Sequence, residues 1–210
     1  MSQRLWLGLC LTVFAASSWA QATVEIDNPW VQVLRVKVAP REKSPAHAHP
    51  ASVAVYLTDA RLRINGKEVT RKAGDVAWFE AANYTDESLS DQRIELIVME
   101  LKPGAPKAKG WPVELDPVKL EPDHEQVLLE NARVRVLRTI LEPHLKGPTH
   151  DHPSYVVVYL TELHTTMTLA DGKQVDNPRH PGDIAFREAY RHTTENVGDR
   201  TAVEIQIELK

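Results

Sequence analysis

Lys43-Ser44-Pro45-Ala46-His47-Ala48-His49-Pro50 and Lys146-Gly147-Pro148-Thr149-His150-Asp151-His152-Pro153 are two renderings of one octapeptide within a single chain of 210 residues. The same spacing carries Val33-Leu34-Arg35 onto Val136-Leu137-Arg138 and Tyr56-Leu57-Thr58 onto Tyr159-Leu160-Thr161. Slightly wider spacings relate Asn65-Gly66-Lys67 to Asp171-Gly172-Lys173, Gly74-Asp75 to Gly182-Asp183, and Glu100-Leu101-Lys102 to Glu208-Leu209-Lys210, so the second copy carries two short insertions. A unit of roughly 80 residues present only twice is too long and too few for a solenoid, and it reads as a duplicated domain. Between the copies, Pro103-Gly104-Ala105-Pro106-Lys107-Ala108-Lys109-Gly110-Trp111-Pro112 is too rich in proline and glycine to hold a regular element. The organisation expected is a leader over 1–22, a first domain over 23–102, a linker over 103–122 whose Trp111 packs onto one of the domains, and a second domain over 123–210.

Inside each copy the apolar period is two. Val31-Gln32-Val33-Leu34-Arg35-Val36-Lys37-Val38, Val134-Arg135-Val136-Leu137-Arg138-Thr139-Ile140 and Ala202-Val203-Glu204-Ile205-Gln206-Ile207-Glu208-Leu209 alternate as half-buried strands do. Ser52 to Leu57 and Tyr155 to Leu160 are nearly unbroken apolar runs, expected of strands buried on both faces. Asn65-Gly66 and Asp171-Gly172 are strong hairpin signals. The prediction is an all-β protein of two tandem small antiparallel barrels, closed so that few edges remain. On the alternation, Tyr155 and Tyr159 are expected to point away from the histidines and to pack between the barrels.

The first residues read as a leader. Arg4 supplies the positive charge, Leu5 to Ala16 an apolar stretch shorter than the ~20 residues that span a bilayer, and two small-x-small sites follow, ahead of Gln21 and ahead of Thr23. The second site is preferred. Cys10, the only cysteine, falls inside the leader, so the mature chain forms no disulfide. A periplasmic or secreted protein with no stable membrane anchor after cleavage is expected. With 29 acidic against 25 basic side chains and no basic run, nothing in the mature chain offers a footprint for nucleic acid. The partner expected is a small molecule.

His150 and His152 stand two apart on a strand, which puts both imidazoles on one face. His192 follows Pro181-Gly182-Asp183 and a short strand, Ile184 to Arg187, that returns the chain toward the same interior. Three histidines from two strand regions suit iron(II), zinc, nickel, manganese or copper, with open positions for water or substrate. Burying the rings without a metal would leave several nitrogens to be paired some other way. Glu188 and Glu195 are candidates to orient a ligating histidine or act as a base, and Arg187, Tyr190 and Arg191 to hold a substrate carboxylate. No catalytic base is evident from spacing. In the first copy His47 and His49 persist, Tyr84 stands where His192 would be, and Ser88 stands for Asn196. A weak site formed by His47, His49 and Tyr84 is one reading, and a purely structural first barrel the other.

With these residues in view, the chain resembles the cupin superfamily, and its duplication resembles the two-domain bicupins. The family pairs a His-x-His motif, a Glu four residues on and a Gly beyond with a Pro-Gly-Asp turn followed by a His and then an Asn. The second copy supplies His150, His152, Pro181-Gly182-Asp183, His192 and Asn196, and departs at the Glu position, which Val156 fills. The resemblance implies double-stranded β-helix (jelly-roll) barrels and a three-histidine metal site like that of thiol and acetylacetone-cleaving dioxygenases, not the three-His, one-Glu site of germins. Iron(II) is thereby favoured, and Asn196 joins the candidates around the site. A dioxygenase, lyase or isomerase acting on a small anionic or chelating molecule is implied. A non-catalytic binding or storage module is the alternative the family also offers, and a homodimer is left open because dimers are common among cupins.

Overall fold

The computed structural model describes residues 20–210. The leader's apolar stretch and Cys10 lie outside the described residues. In the first half the strands are β1 (Ala20–Asp27), β2 (Val31–Val38), β3 (His47–His49), β4 (Ser52–Tyr56), β5 (Ala60–Ile64), β6 (Lys67–Arg71), β7 (Val76–Phe79), β8 (Ala82–Tyr84), β9 (Asp86–Ser88) and β10 (Ile94–Leu101). One helical turn, α1 (Pro117–Leu120), follows. The second half has β11 (Glu125–Glu130), β12 (Val134–Leu141), β13 (His150–His152), β14 (Tyr155–Tyr159), β15 (Leu163–Leu169), β16 (Gln174–Arg179), β17 (Ile184–Arg187), β18 (Tyr190–Asn196) and β19 (Ala202–Leu209).

Each half closes a jelly-roll barrel from one large and one small face, as the period-two pattern predicts. The large faces run β1-β2-β10-β4-β7 and β11-β12-β19-β14-β17, the same order on equivalent strands. The small face of the second barrel is one sheet, β13-β18-β15-β16, whereas in the first it is split into β3-β8 and β6-β5-β9. The Asn65-Gly66 hairpin joins β5 to β6 with both residues at positive φ, +47° and +81°, the backbone a tight primed turn requires.

β1 begins at Ala20, earlier than the domain boundary read from the sequence. Ala20, Gln21 and Ala22 pair with Val38, Lys37 and Val36. A cut ahead of Thr23 removes three residues of ladder; a cut ahead of Gln21 removes one.

The two large faces pack against each other through a shared apolar seam. Val31, Val33, Val53, Val55, Ile97 and Met99 of the first barrel meet Val134, Val136, Val156, Val158, Ile205 and Ile207 of the second, all fully buried. Trp30 stacks on Phe186 across it, ring centroids 5.8 Å apart. Two equivalent arginines lock the seam reciprocally: Arg35 donates to the Gly182 carbonyl at 2.6 Å, and Arg138 to the Gly74 carbonyl at 2.9 Å.

Because one face of each wall strand lines the seam, the opposite face must line its own barrel. The expectation that Tyr155 and Tyr159 pack between barrels is therefore corrected: Val156 and Val158 take the seam, and the two tyrosines pack inside the second barrel with Leu141, Val157 and Leu163. All five residues of β14 are buried, so alternation in polarity could not tell one face from the other.

The linker is also more than a connector. It straps the second barrel beside β13: the Lys109 carbonyl accepts from Ser154 N, and Leu115 O from Asp151 N. Trp111 lies under both Arg135 and Lys210, at 4.9 and 4.7 Å from its centroid. Asp116 caps α1 and pairs with Arg135.

Ile207 sits at the centre of the seam, so Ile207→Ala is expected to lower stability by about 2–5 kcal/mol. The two barrels should still unfold in one cooperative calorimetric transition. Two separated transitions in the wild type would contradict a shared core.

Candidate metal site

His150, His152 and His192 converge inside the second barrel. Antiparallel pairing of β13 with β18 sets His150 directly opposite His192, and the two-residue period brings His152 to the same face. The rings lie 4.6 to 5.5 Å apart by centroid, and one nitrogen from each falls within 4.8 Å of the others. All three are buried, at 5%, 2% and 4% exposure.

The orientation of the rings is fixed from behind. His150 Nδ1 lies 3.1 Å from the Pro148 carbonyl and 3.3 Å from Glu121 Oε1. Both can only accept if the carboxyl is ionised, so the proton belongs on Nδ1 and the lone pair on Nε2. His152 Nδ1 donates to Glu208 Oε1 at 2.9 Å, while Arg135 Nε donates to the other oxygen of the same carboxylate at 2.5 Å. Burial alone would raise the Glu208 pKa, but the hydrogen bonds from His152 and Arg135 and the charge of Arg135 outweigh it and hold the carboxylate below its ordinary range. Arg135 is held in turn by Asp116 and by the face of Trp111. A continuous chain thus runs from the linker through Arg135 and Glu208 to His152.

Within this frame His152 Nε2 and His192 Nδ1 are buried with no hydrogen-bond partner among the described residues. Burial, together with the neighbouring His152, His150 and Arg187, pulls the His192 pKa down to about 2, and burial likewise lowers that of His152. Neutral imidazoles are the form a transition metal binds. The donor set therefore fits a divalent metal.

Around the rings the interior is unusually polar. Tyr190 stacks on His192 at 4.4 Å, and its hydroxyl meets that of Tyr155 at 2.8 Å. Burial raises both hydroxyls, Tyr190 to about 12, so both keep their protons near neutrality. Arg187 reaches inward to Asn177 Oδ1 at 3.0 Å and the Tyr159 hydroxyl at 3.5 Å.

Four side chains considered from the sequence lie elsewhere. Glu188 is exposed, and Glu195 pairs with Lys146 on the outer surface. Arg191 points outward to Asp151 and Glu114, because it alternates with His192 along β18. Asn196 is buried, but its amide donates to the carbonyls of Leu141, Glu142 and Arg200, a brace for the loops at that end of the barrel. The carboxylates that do contact ring nitrogens, Glu208 and Glu121, were not assigned a role from the sequence. A signal for Glu208 was present, since it recurs as Glu100 in the first copy; Glu121 lies outside the repeat.

In the first barrel the pattern is altered. His47 Nδ1 donates to the Pro45 carbonyl at 2.9 Å, as His150 does to Pro148, and His49 Nδ1 lies 3.8 Å from Glu100. The Tyr84 hydroxyl donates to the Glu80 carbonyl. The acid that gathers with His47 and His49 is Asp86, two residues beyond Tyr84.

No family model matches the chain, and no curated protein sequence matches it. Solved structures do. AerE of Microcystis aeruginosa is 12% identical with a TM-score of 0.69 over 93% of this chain and 95% of that one. A cupin 2 conserved barrel domain protein of Leptotrichia buccalis is 14% identical, TM-score 0.57, over 92% and 90%. The fold is that of the cupins. Oxalate decarboxylase of Bacillus subtilis, described with Mn(II) centres, shares this cupin fold at 15% identity and a TM-score of 0.60 over 90% of this chain and 72% of that one.

Removing the carboxylate behind His152 tests the supporting chain. Glu208→Gln is expected to weaken metal binding by about 10- to 100-fold in chelator competition, while Glu195→Gln leaves it unchanged.

Glu125, buried and accepting from Thr139, offers a test by pH. Burial, reinforced by Glu204, Glu121 and Glu208, raises its pKa well above the ordinary glutamate value despite the Thr139 hydrogen bond. A folded-state pKa above the unfolded one gives stability that is full at low pH and lost as pH rises through the raised value. Glu125→Gln removes that loss, so melting temperatures measured from pH 4 to 8 should shift in the variant's favour as pH increases.

Proposed function

We propose that this chain is an exported metal-dependent enzyme whose second barrel acts on a small anionic or chelating molecule. The observation that carries the reading is the pair of buried, unpartnered nitrogens on His152 and His192 beside His150, with His150 and His152 braced from behind. Leaving such atoms unpaired costs on the order of 1–3 kcal/mol each, a cost that ligation of one ion offsets. His150, His152 and His192 would hold the metal, iron(II) in the first instance, with manganese, zinc, nickel and copper compatible with the same donors. A bound divalent ion would supply Lewis acidity and, as iron(II), the redox capacity that oxygenase chemistry needs.

The remaining residues define the substrate. Three neutral imidazoles leave the charge of the ion uncompensated by its ligands, which favours an anionic oxygen or sulfur donor as the fourth partner. Arg187 is a cation facing the interior, and Tyr155 and Tyr190 present hydroxyls that keep their protons. Together they can bind and orient a carboxylate or enolate and donate hydrogen bonds to its oxygens. Export rests on Arg4, the apolar run Leu5 to Ala16 and the small-x-small sites that follow. On the same reading 23–102 and 123–210 are duplicated domains joined by 103–122.

Elemental analysis of untagged protein and of His192→Ala tests the site. Loss of about one equivalent of transition metal in the variant is expected. Metal content equal in both would remove the ion from this barrel. Oxygen uptake and substrate consumption by the metal-loaded wild type, absent in His192→Ala, would then separate an enzyme from a storage module.

A further inference from the structure

The first barrel encloses a cavity of about 300 Å³ at whose polar end His47, His49 and Asp86 meet. Its walls are the chemical inverse of the second barrel's. Leu96, Val98 and Phe79 line it where the equivalent strand positions of the second barrel carry Glu204, Gln206 and Arg187. Ala54 and Ser52 keep the cavity open where Val157 and Tyr155 fill the second barrel. A volume at the lower end of the ~300–1,000 Å³ of small-molecule sites, mostly apolar and with a few convergent polar groups, has the make-up of a ligand chamber and not of a repacked remnant.

The polar end is rebuilt as well. Tyr84 occupies the place of His192 but spends its hydroxyl on Glu80. Asp86 stands two residues on, and positions i and i+2 of a strand share a face. The small face of this barrel breaks between Tyr84 and Asp86, where β8 ends and β9 begins. Ser44 Oγ accepts from Asp86 N at 2.8 Å and Ser44 N donates to Asp86 O at 2.7 Å, which fixes the backbone that carries the carboxylate. His47 is held by Pro45 with its lone pair on Nε2.

We infer that the first barrel is a second, chemically distinct site, in which His47, His49 and Asp86 bind a divalent transition metal whose open positions face an apolar chamber, selecting a hydrocarbon-bodied molecule with an oxygen-donor head. Two imidazoles and one carboxylate form a facial donor set. Its single negative charge leaves the bound ion with one positive charge for an anionic head, while Leu96, Val98 and Phe79 receive the apolar body. This site stands independently of the one proposed in the second barrel.

Cobalt(II) binding to the full-length mature protein separates the two. The wild type is expected to take up two equivalents, Asp86→Asn one, His192→Ala one and Tyr84→Phe two. Two equivalents in Asp86→Asn, or none in His192→Ala, would overturn the inference, whereas loss of metal only with Asp86→Asn would sustain it while removing the site in the second barrel. On cobalt-loaded His192→Ala protein, octanohydroxamate is expected to shift the visible cobalt bands at concentrations at least about 30-fold lower than acetohydroxamate, from burial of its extra methylenes. Equal potency of the two hydroxamates would contradict the apolar chamber.

Discussion

Everything in this molecule depends on one constraint: the central wall strands of each barrel, β4 and β10 in the first and β14 and β19 in the second, are largely buried on both sides. One face lies in the seam that joins the barrels, where Val136, Val156, Ile205 and Ile207 meet Val33, Val53, Ile97 and Met99. The seam takes the apolar residues Ile205, Ile207 and Leu209 of β19, and so delivers Glu204, Gln206 and Glu208 to the interior of the second barrel. Carboxylates placed there need partners: Glu208 has Arg135 and His152, and Glu204 accepts from Gln206. Apolar packing outside the barrel thereby determines which polar groups stand inside it.

Isolated buried ion pairs seldom repay their desolvation. The Arg135–Glu208 pair has a different use. It fixes a carboxylate against His152 Nδ1 and so fixes the tautomer and direction of the ring, which a neutral apolar substitute could not do. The linker joins the same device through Asp116 and Trp111, and Glu121, just beyond α1, reaches His150. A segment that reads as a flexible connector is thus part of the scaffold behind the histidines.

Much of the fold was legible in the sequence. The repeat, the period-two alternation and the Asn-Gly turn each reflect a local rule that tertiary context did not override, and the pairing of β13 with β18 brings together the three histidines that spacing singled out. The parts that were not legible share a cause. Facing direction in β14 was lost because all five of its residues are buried and carry no polar mark of the outside. Glu188 and Glu195 drew attention by lying close to His192 in sequence, whereas contact came from Glu208 and Glu121 through long-range pairing. Asp86 was hidden by alignment to the motif, since it stands two places beyond the residue it replaces.

On the proposed function, the second barrel presents three imidazole lone pairs to one ion. X-ray absorption at the edge of the bound metal, recorded on Asp86→Asn protein so that only the second barrel contributes, tests it most directly. Three imidazole nitrogens at about 2.0–2.1 Å, with their outer-ring scattering, are predicted for zinc, with one or more oxygen neighbours. A spectrum fitted by oxygen neighbours alone, with no imidazole scattering, would contradict it.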